Sequence, residues 1–329
     1  MCAILPICES QTKLSLLKAF MDIIPSTLAP EQKTKPEDFT RARKLPFPRL
    51  IATILSLVAD GTRNGVDIHA GAFFRDARRS GLWPNVKAIH RSALTKARKK
   101  VPWEVFQNTL NDAVQLAYEL WPDATLFTWH GMSVFAIDGS KYTLPATPAL
   151  RQEFDPNSGL GNPGKGHYPQ CLVSTLYDVF RRLPIARTIK SIHTSERDEV
   201  AHLLPFMPEN SILLCDRGYP SYDMFRRLSQ TLNGYFLFRS PASSTFPAVE
   251  EFVASGKHDA IVWITPTNSV LRNATAGQRK SLKALKLRVI LLKSPDGNVS
   301  VLITNLLNTV TFPCTEIIAL YVDRWEVEE

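Results

Sequence analysis

SVFAIDGSKYTLP, residues 133–145, and SILLCDRGYP, residues 211–220, decide how this chain is read. Each is a short apolar run ending at an acid: Val134, Phe135, Ala136 and Ile137 precede Asp138, and Ile212, Leu213, Leu214 and Cys215 precede Asp216. Such runs read as buried strands. Residues suited to a tight bend follow both acids, Gly139-Ser140 and Arg217-Gly218. A half-buried carboxylate is costly unless it is paired or binds a cation. Hard divalent ions such as Mg²⁺ take one or two carboxylates together with water and phosphate oxygens. Two such ions about 3.5–4 Å apart can hold the attacking and leaving oxygens of an in-line phosphoryl transfer. Either aspartate alone is explained as a strand-end turn residue; the pair, in the same strand-then-acid order, favours a shared cation.

Outward from these strands the pattern is α/β. QCLVSTLYDVF and LPIARTIKSI read as two strands joined at Arg181-Arg182, and SERDEVAHLLPFM as a helix with a Ser cap and acids in its first turn. SYDMFRRLSQTLN reads as a helix and GYFLFRS as a strand. PNSGLGNPGKG is Gly/Pro/Asn-rich but opens no helix, so it is a loop and not a phosphate cradle. VWITP, LKLRVILLKS and NVSVLITNLL make residues 241–310 β-rich, and CTEIIALYVDRWEVEE is helical.

Residues 1–128 read as helical, with apolar stripes at Leu14–Ile23, Leu50–Val58 and Trp103–Leu120, and further helices at 67–80 and about 86–100. The break GLWPN between the last two permits a helix-turn-helix, a pattern that many helix pairs share. The expected divisions are 1–128, 129–240, 241–310 and 311–329.

Charge is unevenly spread. The chain carries a formal +8, and residues 33–100 hold 16 Lys/Arg against 5 Asp/Glu. A concentrated basic segment points to a polyanion, with a solvated face as the bland alternative. Its candidate contacts are Arg41, Arg43, Lys44, Arg91, Lys96, Arg98, Lys99 and Lys100. The apolar fraction of 44% in 329 residues argues against disorder and allows a sizeable core. No apolar run reaches the roughly 18 residues of a membrane span. The five cysteines form no CxxC pair, which predicts reduced thiols in a cytoplasmic protein with neither zinc nor disulfides.

A third acid would complete a two-ion cage, and the terminal helix has several to offer. At 100° per residue, Tyr321, Arg324 and Glu328 share one face, while Asp323, Glu326 and Glu329 point elsewhere. A cation and a phenol beside a metal carboxylate suit a held phosphate. The same spacing also describes a surface Arg–Glu pair.

FTRARKLPF, SALTKARKKVP, AIDGSKYTLP, the YPQ at 168–170, SERDE, LLCDRGYPSY, FLFRS, ITNL and YVDRWEVEE run in one order from about residue 39 to the end. In this they resemble bacterial insertion-sequence transposases of the DDE type, from the group named after insertion sequence four. The most specific match is Tyr321-x2-Arg324-x3-Glu328, three members of that group's Tyr-Arg-Glu-Lys signature. The resemblance implies an RNase H-like core, a mixed sheet flanked by helices, with a β-rich insertion and an N-terminal all-helical DNA-binding domain. It implies Asp138, Asp216 and Glu328 as catalytic metal ligands for Mg²⁺, with Mn²⁺ as a substitute. Tyr321 and Arg324 would contact DNA phosphates.

The implied activity is hydrolysis at transposon ends followed by 3′-hydroxyl strand transfer into target DNA. The implied partners are terminal inverted repeats, target DNA and a second copy in a homodimer, without a membrane, in a cytoplasmic, nucleoid-associated protein. The family lysine would fall seven residues after Glu328, beyond residue 329, so the chain resembles a truncated transposase. The rivals are an RNase H-like metal nuclease without strand transfer and a non-catalytic DNA-binding remnant. Five further residues read as structural: His167 as a surface histidine, Cys215 as core, Trp263 as a packed strand residue, and Glu196 and Asp198 as helix-start acids.

Overall fold

The computed structural model describes residues 15, 18–33, 35–40, 44–59, 65–87, 89–122, 125–155, 168–293 and 297–323. They fall into two units, Met1–Leu120 and Trp121–Glu329.

In the first unit the described helices are α1 (Phe47–Ala59), α2 (Val66–Arg79), α3 (Arg91–Arg98) and α4 (Glu104–Leu120), after helical residues at 18–22. Phe47, Ile51 and Ala52 of α1 pack with Ile24, Leu28 and Val105 in its core. The helix expected over 86–100 starts only at Arg91, because the His90 side chain accepts the Ser92 N–H and caps it there. The unit boundary lies before residue 128 for a physical reason. Trp121 offers its carbonyl to Arg181 Nε at 2.9 Å, and the Arg181 guanidinium lies 4.9 Å from the Phe127 ring centre. The connecting segment therefore belongs with the sheet.

The second unit is built on one mixed sheet of eight strands: β1 (Ser133–Thr143), β2 (Gln170–Asp178), β3 (Leu183–Ser191), β4 (Ser211–Cys215), β5 (Tyr235–Pro241), β6 (Asp259–Ile264), β7 (Leu285–Lys293) and β8 (Val299–Thr304). Their order is β3-β2-β1-β4-β5-β8-β7-β6. β1, β2 and β3 form an antiparallel meander, and β4 and β5 then join parallel to β1. This is the α/β, RNase H-like architecture expected from the sequence.

The β-rich stretch is no separate layer. β8 pairs antiparallel with β5 in the register Phe238↔Ile303, so β6, β7 and β8 extend the core sheet itself. The stretch also contains three helices, α8 (Pro247–Ala254), α9 (Asn268–Asn273) and α10 (Ala276–Ser281). Between β1 and β5 lie α5 (Pro148–Phe154), α6 (Glu196–Leu203) and α7 (Tyr222–Thr231).

The last described helix, α11 (Cys314–Asp323), covers one face of the sheet. Its Ile317, Leu320 and Tyr321 pack with Val134, Ala136, Ile212, Leu214, Leu237 and Leu302. The opposite face takes α7, whose Phe225 ring lies 5.9 Å from Phe236 and 5.2 Å from Phe238. Arg288, with no exposed surface, locks β7 to its surroundings. Its Nε donates to Asp259 Oδ1 at 2.8 Å and its Nη1 to the Phe312 carbonyl at 2.7 Å, just before α11 begins.

Candidate active site

The parallel register of β1 and β4 ends at Ile137↔Cys215, so Asp138 and Asp216 are the next residues on two adjacent strands. Neighbouring strands lie about 4.8 Å apart, which brings the two acids side by side. Strand alternation fixes their face: Val134 and Ala136, Ile212 and Leu214 all point into the cluster beneath α11, and Asp138 and Asp216 continue those two rows. Both strands are buried up to the acid and half-buried at it. The carboxylates therefore stand where the sheet opens to water.

β1 does not bend at Gly139-Ser140 as the sequence suggests. Losing β4 removes only one neighbour, and β1 keeps β2 as its partner through Asp138↔Thr175 and Gly139↔Ser174 to Thr143↔Gln170. Asp216 does start a turn, its carbonyl accepting the Tyr219 N–H at 3.1 Å and its Oδ1 the Arg217 N–H.

Gly139 has a second role that the sequence hides. A Cβ there would stand 2.7 Å from the Glu196 Cδ, so the bare backbone lets the first turn of α6 close onto β1 beside Asp138. Tyr219, 1% exposed, lies in the same corner. Burial first, with the negative charge of Glu196 and Asp138 adding to it, pushes its phenol well above the usual tyrosine range. Its hydroxyl lies close to Glu196 but outside regular hydrogen-bond geometry. The motifs SERDE and LLCDRGYPSY contain both residues, but local pattern reads Glu196 only as a helix start and does not bring it to Tyr219.

Tyr321, the expected phosphate contact, lies in the core of the sheet unit. It is 1% exposed and fills the core between α11 and the sheet, so its ring serves packing. Arg324 and Glu328 lie outside the described residues, as does His167. The start of α11 is pinned to the start of β1: His130 Nε2 and Glu316 Oε2 are 2.7 Å apart, and Trp129 stacks on Phe312 at 5.5 Å. Among the described residues no group of three or more His, Cys, Asp or Glu side chains is positioned to hold a metal ion. Cys215 is core as read, with no exposed surface. Trp263 is not packed; it is 59% exposed, because β6 is the outermost strand of the sheet.

In the helical unit, α3 presents its charges to water and buries only Leu94. Lys96, Arg98 and Lys99 are exposed. Arg91 stands near Asp67, with Nε 3.8 Å from Oδ2 and its backbone N–H donating to Oδ1 at 2.9 Å. Lys100 has a structural partner. Its Nζ donates to Asp38 Oδ1 at 2.5 Å, and the Asp38 side chain is 1% exposed. Lys44 is exposed; Arg41 and Arg43 lie outside the described residues.

A family model described as "Transposase DDE domain" matches residues 129–329, the whole sheet unit apart from its first residues. The chain belongs to the DDE transposase domain family. It is 26% identical over 294 residues to "Transposase InsG for insertion sequence element IS4" of Escherichia coli (strain K12), covering 88% of this chain and 61% of that protein. It is 31% identical over 146 residues to "Putative transposase InsZ" of the same organism, covering 43% of this chain and 46% of that one. The chain thus spans about half to three-fifths of the length of these curated relatives. DDE transposase domains use a divalent metal ion. No helix among the described residues is long and apolar enough to cross a membrane.

Proposed function

We propose that this chain carries the catalytic centre of a DNA transposase, which hydrolyses one strand at each transposon end and joins the freed 3′-hydroxyl to target DNA. The observation that supports this best is the register of β1 and β4, which makes Asp138 and Asp216 neighbours at the water-facing end of a buried sheet. Two hard oxygen donors with a half-open outlook suit Mg²⁺ or Mn²⁺ far better than zinc or copper. Asp138 and Asp216 would hold the ion, joined by Glu328, which follows Tyr321 by seven residues in the sequence. When bound, such ions activate the attacking oxygen and neutralise charge on the phosphate.

The protein's own contribution is placement. The packed strands fix the two aspartate backbones, and Glu196 against Gly139 backs the first of them. α3 supplies exposed positive charge for DNA through Lys96, Arg98 and Lys99, with Arg91 at its start and Lys44, Arg41 and Arg43 before it. Arg324 follows α11 in sequence as a further phosphate contact. Lys100 contributes less, being committed to Asp38. Two ends must be cut together, which calls for a homodimer on DNA in the cytoplasm, at the nucleoid.

The test uses a labelled duplex carrying the inverted repeat that flanks the gene, incubated with a plasmid target and Mg²⁺. Nicking followed by joined products supports a transposase. Nicking without joined products identifies a nuclease, and binding without nicking a non-catalytic DNA-binding chain.

A further inference from the structure

A cleft of about 590 Å³ opens outside the ends of β4 and β5, next to Asp216 but lined by other residues. Crevices at the carboxyl ends of parallel strands are the usual ligand sites of open α/β sheets. Three cations line this one: Arg197 from α6, Arg217 beside the catalytic acid and Arg227 from α7. Arg197 is aimed by a 2.9 Å hydrogen bond from its Nε to the Gly218 carbonyl. The side chains of Arg217 and Arg227 make no hydrogen bond or ion pair among the described residues.

Two acids, Asp198 and Asp223, also line the cleft, in the first turns of α6 and α7. Neither forms an ion pair with the arginines among the described residues. Three guanidinium groups against two carboxylates leave the lining with a net positive charge, which favours an anion there. Serine and threonine hydroxyls complete much of the wall. The two aromatic rings of the lining, Tyr222 and Phe246, are 1% and 4% exposed, so no ring face is offered for stacking a base.

We propose that this cleft cradles the sugar–phosphate backbone of DNA beside Asp216 and does so without reading sequence. The inference rests on the DNA-transposase reading and extends it to a surface outside the carboxylate centre. Guanidinium forks and hydroxyls match consecutive phosphates, and contacts to phosphate position a duplex without specifying its bases. Each phosphate neutralised releases counterions, which gives the cleft a measurable signature in salt.

The experiment compares the wild-type chain with the double variant Arg217→Gln/Arg227→Gln, and separately with Arg197→Gln and Asp223→Asn. Binding is measured over a salt series on a terminal-repeat duplex and on an unrelated duplex of equal length. Circular dichroism checks folding; the two arginines of the double variant have no protein partner to lose. The expected result is a log–log salt slope shallower by about 2 for the double variant and about 1 for Arg197→Gln, equally on both duplexes. Asp223→Asn, which removes opposing charge, should tighten binding to both. An unchanged slope with normal wild-type binding overturns the cleft while leaving the transposase reading intact. A loss confined to the terminal repeat also overturns it, because the cleft would then read sequence. A wild-type chain that binds neither duplex overturns the transposase reading and the cleft together.

Discussion

α3 and β4 treat their residues in opposite ways: α3 buries one side chain of eight, Leu94, whereas all five residues of β4 are buried. The first is a short basic element held by one apolar contact row and a histidine cap. The second is the centre of a sheet with partners on both sides. On the proposed function, the contrast fits what each would have to do. Phosphate attraction is long-ranged and tolerates a loosely seated element. Ligands of a reacting centre must be held to within a fraction of an ångström, which only packed strands provide.

Several substitutions would break or sharpen this contrast. The largest effect should come from Arg288→Ala. It strands Asp259 and two backbone carbonyls around a fully buried site, and removing one partner of such a pair costs about 3–5 kcal/mol. Urea unfolding of the sheet unit should register that loss; a drop under 1 kcal/mol would mean the sheet is held without this lock. Asp138→Ala or Asp216→Ala should reduce metal-dependent nicking by more than about a hundredfold, since even outer-shell changes cost 10- to 100-fold. Because both side chains are half-buried at strand ends, thermal stability and DNA affinity should barely move.

In the helical unit, Arg98→Gln with Lys99→Gln should flatten the salt dependence of DNA binding by about 2 log–log units without altering stability. Lys100→Gln should do the reverse. The hydrogen bond from Lys100 holds Asp38 below the usual carboxylate range, against the burial that opposes it. A carboxylate depressed in the folded state stabilises above its unfolded pKa and loses that stabilisation as pH falls through the folded value. Acid titration from pH 6 downward should therefore weaken the helical unit below about pH 4; Asp38→Asn should abolish that dependence and Lys100→Gln should reduce it, because the Lys35 N–H still faces Asp38.

The smallest contrast is between two helix starts of the sheet unit. The Ser221 side chain accepts the Met224 N–H at 3.1 Å, while Ser195 makes no cap bond. Ser221→Ala should cost about 1 kcal/mol and Ser195→Ala close to nothing. Equal losses in chemical denaturation would show that Ser195 also caps its helix in solution.

Local pattern in the sequence determined the strands around Asp138 and Asp216, the turn at Arg181-Arg182, and the helices α1, α2, α4 and α7. Hydrophobic period and turn chemistry act over a few residues and need no partner to be legible. The run of motifs from FTRARKLPF to YVDRWEVEE likewise pointed to the family, which the match over residues 129–329 shows. Tertiary structure alone decided the rest. It joined β8 to β5 and so made one sheet of the β-rich stretch, because strand pairing is a choice between distant segments. It carried β1 past Asp138, since one remaining neighbour suffices to continue a ladder. It sank Tyr321 into the core and tied Lys100 to Asp38, two outcomes that helical spacing and charge counts leave open. It also set Glu196 against Gly139 and gathered three arginines beside Asp216. Contacts between residues far apart in the chain depend on which surfaces meet, and no local period records that.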